Sequence, residues 1–73
     1  MTNYGEALRY QREQRGLSQS KLAQETGLKQ QMISWWEAGK GLPNIDFCAK
    51  LADYYGITID ELVGRGFGKE LEK

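Results

Sequence analysis

The stretch GLSQSKLAQETGLKQQMISWWEAGKGLP, Gly16 to Pro43, decides the fold: it joins two helical patterns through one glycine and leaves a polar face on the second. Ser18 stands where a helix N-cap is wanted, and Leu22 and Ala23 point inward from the short helix it starts. Gly27 supplies the positive-φ residue that a tight interhelical turn requires. A third helix is expected from about Lys29 or Gln30 to Gly39, where the glycine suits a C-terminal stop. Advancing about 100° per residue, it places Ile33, Trp36 and Glu37 on one side and Gln31, Ser34 and Ala38 on the other. Gln30 and Trp35 flank the outer stripe. Amides and a hydroxyl on an exposed helix face suit the major groove of duplex DNA, because glutamine makes bidentate hydrogen bonds to adenine N6 and N7. Small residues at 34 and 38 allow close approach.

Upstream of this stretch, Asn3 is a candidate cap and Glu6 completes a capping box for a first helix running to about Arg15, closed by Gly16. Tyr4, Leu8 and the pair Gln11 and Arg12 share one of its faces. Downstream, Gly39, Gly41 and Pro43 mark a loop, and Asn44 caps a fourth helix that reaches Tyr55 and is closed by Gly56. Thr58 and Glu61 form the capping box of a short fifth helix, TIDELV, which Gly64 terminates. Nothing alternates as a strand does, and no long internal repeat is present. The reading is all-α, five short helices, with the domain over residues 1–64 and a frayed end or short tail over 65–73.

Length and composition set the outer bounds. Seventy-three residues, 40% hydrophobic and 27% charged, describe one folded domain with no room for a separate effector domain. The absence of histidine and the single cysteine leave no zinc or haem site, so neither a metal nor a cofactor is expected. Cys48, in the apolar run FCAKLA, reads as a buried small hydrophobe. The N-terminus has no apolar signal region and no long apolar run follows it, so a cytoplasmic protein without a membrane span is expected. Net charge is zero, which argues mildly against a polyanion partner. The distribution softens this: residues 1–40 hold six Lys or Arg against four Asp or Glu, and residues 41–73 hold four against six.

The segments LRYQR, GLSQSKLA, GLKQQMIS, WEAGKGLP, LADYYGI and TIDEL together resemble the helix-turn-helix family of phage repressors and Cro proteins, also called the XRE family. The resemblance covers nearly the whole chain, and the combination of segments is specific where each alone is weak. It implies a lambda-repressor-like five-helix domain that binds duplex DNA as a transcriptional regulator, most simply a repressor. It also implies roles for single residues. Gln30 and Gln31 match the positions that read base edges, and Ser34 and Trp35 match positions further along the recognition helix. Gln19 matches a residue that anchors to phosphate and often braces the glutamine at position 30. Arg12 matches an arginine that pairs internally with the glutamate after the recognition helix, here Glu37, and Trp36 stands where the family carries a large apolar core residue. Lys29 and Lys40 bracket the recognition helix and are placed for phosphates on either side of the groove.

Two positions, Lys29 and Phe47, depart from the family pattern, and Trp35 admits more than one reading. Lys29 stands where a capping Ser or Thr is common, which forfeits about 1 kcal/mol of cap energy and sets a cation against the helix dipole. Trp35 has three readings: contact with sugar or thymine methyls, contact with a partner protein, or cover for neighbouring side chains; groove-side contact is favoured. Phe47 takes a place that is usually polar. It either joins an exposed aromatic patch with Pro43, Asn44 and Tyr54 that serves a homodimer, or lies flat on its own domain. A homodimer on a palindromic operator is expected, because one helix-turn-helix reads only a few base pairs.

Two classes of function compete. The first is a sequence-specific DNA-binding regulator: a phage-type repressor, an antitoxin that represses its own operon, or a restriction-modification controller. The second is a protein-interaction module that keeps the fold while DNA binding is secondary or lost, motivated by the zero net charge and by Trp35 and Phe47. An enzyme is disfavoured, since there is no histidine, no activated nucleophile setting and no phosphate-cradling glycine loop between strand and helix.

Overall fold

The computed structural model describes residues 4–64. It contains α1 (Tyr4–Glu13), α2 (Gln19–Thr26), α3 (Gln30–Glu37), α4 (Ile45–Tyr55) and α5 (Ile59–Leu62), with no strand among the described residues. The order and number of helices are those expected. The cap expected of Asn3 and the tail at 65–73 lie outside the described residues.

Three caps form as the sequence specifies. Ser18 Oγ accepts the Lys21 N–H at 3.0 Å, and Asn44 Oδ1 accepts the Phe47 N–H at 2.9 Å. Thr58 and Glu61 close a full capping box on α5, so a helix of four residues has its first-turn donors satisfied from both sides. Leu62, fully buried, then anchors α5 to the core. The first helix ends sooner than expected, at Glu13. Its last turn tightens into i→i−3 bonds, Arg15 N–H to the Arg12 carbonyl and Gly16 N–H to that of Glu13, before the chain reverses at Gly16.

Leu8, Leu22, Ile33, Trp36, Leu51 and Leu62, from all five helices, form the core, with Ala23, Ala52 and Cys48 filling the gaps. Cys48 is therefore a packing residue, and burial pushes its thiol pKa up. Phe47 is half-buried, its ring 5.4 Å from that of Trp36, so it lies on its own domain and forms no exposed patch. The large apolar side chains left in solvent here are Leu42 (62% exposed) and Ile45 (67%).

The packing of α1 on α3 fixes the site. Gly5 is buried against the end of α3, and a Cβ built there would meet the Glu37 carbonyl oxygen at 2.6 Å and that of Trp36 at 2.7 Å. Only a residue without a side chain lets the two backbones approach this closely.

Candidate nucleic-acid interface

The turn between α2 and α3 is held from within. Gly27 adopts φ 77° and its N–H returns to the Ala23 carbonyl. Buried Thr26 donates its hydroxyl to the Leu22 carbonyl at 2.7 Å and accepts the Leu28 N–H at 3.4 Å. These bonds satisfy polar groups of the turn from within the chain, and they fix the direction in which α3 leaves α2.

On α3 the inner side chains are those expected: Ile33, Trp36 and Glu37 are buried. Gln30, Gln31, Ser34 and Trp35 are all exposed, as is Ala38. Trp35 is 55% exposed and lines a shallow surface hollow with Gln31 and Met32. The four side chains make one polar and aromatic surface one helix wide. Lys29 and Lys40, both exposed, stand at its two ends. Lys29 is in extended conformation at the N-cap with no side-chain cap bond. Lys40 follows Gly39, and its N–H bonds to the Trp35 carbonyl at 3.0 Å.

Glu37 ties three helices together. Arg12 Nε donates to Glu37 Oε2 at 2.7 Å and Nη2 donates to Oε1 at 2.8 Å, a bidentate pair between two buried side chains. The third Arg12 nitrogen, Nη1, donates to the Leu17 carbonyl at 2.7 Å, which pins the loop before α2. Hydrogen bonding to Glu37 raises the Arg12 pKa above its ordinary value, against an opposing effect of burial. The internal pairing of Arg12 with Glu37 is thus realised, and both residues belong to the scaffold.

Gln19 departs from its expected brace. Its Nε2 donates to Glu37 Oε1 at 3.0 Å, which draws the side chain toward the buried carboxylate instead of toward Gln30. The second N–H of that amide group still allows a further acceptor. Arg9, which the sequence reading passed over, has its Nε 3.8 Å from the same Oε1. Its helical spacing carried a signal: Gly5, Arg9 and Arg12 recur at i, i+4 and i+7 along the face of α1 that meets α3.

Among the described residues no group of His, Cys, Asp or Glu is arranged to hold a metal ion. Among the same residues no helix is long and apolar enough to cross a membrane.

The sequence profile of a family described as helix-turn-helix matches residues 8–62, three quarters of the chain and the whole span from the core of α1 to α5. The chain belongs to the helix-turn-helix family. It is 35% identical over 68 residues to the HTH-type transcriptional activator BcrR of Enterococcus faecalis, covering 93% of this chain and 32% of that one. It is 38% identical over 60 residues to the cryptic phage CTXphi transcriptional repressor RstR of Vibrio cholerae, covering 82% of this chain and 54% of the relative. The chain thus spans about a third and about half of these two relatives. Among solved structures, the restriction-modification controller protein C.AhdI of Aeromonas hydrophila superposes with a TM-score of 0.76 at 33% identity, covering 84% of this chain and 92% of that one. By their order in the matched span, α2 and α3 are the two helices of the motif.

Proposed function

We propose that this helix-turn-helix chain reads duplex DNA in the major groove through α3 and regulates transcription by occupying an operator, with repression the direct result of occupancy. One observation carries the reading: Gln30, Gln31, Ser34 and Trp35 stand exposed on a helix whose opposite side is locked by Ile33, Trp36 and Glu37. Gln30 and Gln31 contact base edges, Ser34 and Ala38 let the helix settle deeply, and Trp35 packs on sugars or thymine methyls. Gln19, Lys29 and Lys40 contact phosphates and set the register. The regulator acts by binding and not by chemistry, needs no cofactor, and works in the cytoplasm where its DNA lies.

The operator is a palindrome read by a homodimer. Leu42, in the loop before α4, and Ile45, its first residue, both exposed, supply the apolar contact between the two copies. Such a small patch does not reach the roughly 800 Å² per partner of a stable interface, so the two copies meet on DNA. A zero net charge predicts weak nonspecific affinity, with specificity resting on the glutamines.

Selecting bound duplexes from a random pool tests this. Enrichment of a palindrome with half-sites about one helical turn apart is expected, and failure to enrich any sequence at low salt overturns it. That failure would favour the second reading, an interaction module or antitoxin in which Trp35, 55% exposed, meets a protein. The two also part on salt, since counterion release makes DNA affinity fall steeply as salt rises.

A further inference from the structure

We propose that Arg9 is a DNA-phosphate ligand, held beside Gln19 by the Glu37 carboxylate that both residues approach; the proposal rests on the duplex-binding reading above. Glu37 brings one negative charge to two guanidinium groups. Arg12 engages both of its oxygens at hydrogen-bonding distance and is buried with it. Oε1 also accepts from Gln19 at 3.0 Å. Arg9 Nε stands at 3.8 Å from that crowded oxygen, outside hydrogen-bonding length, and the Arg9 side chain is 51% exposed. Taken by themselves, Arg9, Arg12 and Glu37 sum to +1, and Arg9 is the member of the three that reaches the surface.

Two nearby cations, Arg15 just past α1 and Lys21 on α2, have partners of their own. Arg15 donates to the Gln11 carbonyl and side chain and to the Tyr55 carbonyl, and it lies 4.3 Å over the Tyr55 ring. Lys21 pairs with Glu25 at 3.5 Å. Among the described residues Arg9 has one ion pair, the 3.8 Å contact with Glu37, whose two oxygens already accept hydrogen bonds from Arg12 and Gln19, so its guanidinium donors stay open to a further acceptor.

Its location matches a groove edge. Gln30, Ser34 and Glu37 recur at i, i+4 and i+7 on α3, so the Glu37 cluster borders the outer face on the side of Gln30 and Ser34. A guanidinium there, with the second N–H of the Gln19 amide alongside, presents convergent donors to a phosphodiester oxygen. Because Arg9 flanks the reading face instead of lying on it, it adds affinity without adding sequence preference.

The test is the salt dependence of binding of the full chain to its selected duplex, with Arg9→Gln and Arg9→Lys as variants and thermal melting as the control for folding. Arg9→Gln is expected to reduce the slope of log affinity against log salt by about one, with the order of preferred sequences and the melting temperature unchanged. Arg9→Lys is expected to keep the slope. A slope unchanged in Arg9→Gln, or an altered sequence preference, overturns the role of Arg9 while leaving the DNA reading intact. A wild-type chain that binds no duplex overturns both.

Discussion

Arg12 and Arg9 lie three residues apart on α1 and reach the same carboxylate, yet they answer to different physics. Arg12 is buried in a bidentate pair, and removing one partner of such a pair strands the other charge, at a cost of about 3–5 kcal/mol. Arg12→Ala is therefore expected to lower the free energy of unfolding by that order in a denaturant melt, with weaker DNA binding only as a consequence; unchanged stability would refute the scaffold role. Tyr55 gives a second residue-scale test. Its buried hydroxyl has no hydrogen-bond partner among the described residues, and burial pushes its pKa up from 10.0 to about 12. The folded chain holds this proton more tightly than the unfolded one, so the stabilisation is complete below pH 10 and drains away as pH rises toward about 12. Tyr55→Phe is expected to match or slightly exceed the wild type near neutrality and to lack that share of the alkaline decline. Unfolding free energies of both proteins across pH 8 to 12 would show it, and parallel curves would refute it.

At the scale of helices, the starts were legible and the joints between helices were not. Ser18, Asn44 and Thr58 cap helices because a capping bond spans three residues and needs nothing from the rest of the chain. The buried side of α3 follows from helical period alone. The close approach at Gly5, the diversion of Gln19 to Glu37 and the contact with Arg9 all depend on where α1, α2 and α3 converge, which no local pattern encodes. The end of α1 was overrun by two residues because the tightening of its last turn is set by Arg12 and Leu17, whose backbone bond closes the reversal. The start of α3 is the exception among the caps, since Lys29 leaves it without a side-chain bond. Lys29→Ser is expected to add about 1 kcal/mol of stability and to weaken duplex binding by removing a phosphate contact. Measured together, a stabilised variant with unaltered affinity would discard Lys29 as a DNA ligand.

For the whole molecule, the opposed balances of the two halves, basic through residue 40 and acidic after it, keep the net charge at zero while leaving cations beside α3. Exposed Leu42 and Ile45 lie just past that boundary. Leu42→Lys combined with Ile45→Lys is expected to leave the melting temperature unaltered and to abolish cooperative occupancy of a palindrome, while binding to a single half-site persists or strengthens. Retained cooperativity in a titration of both duplexes would move the dimer contact elsewhere. The seat of α3 carries one more implication. At Gly5 the atoms of the third helix nearest to where a Cβ would stand are main-chain atoms of Trp36 and Glu37, so this close approach does not depend on the side chains that α3 displays to solvent. Side chains at 30, 31, 34 and 35 can be exchanged together while the helix keeps its height above the body. On the proposed reading, new operator preferences can therefore be grafted onto this frame, or drift into it, without renegotiating how α3 is mounted.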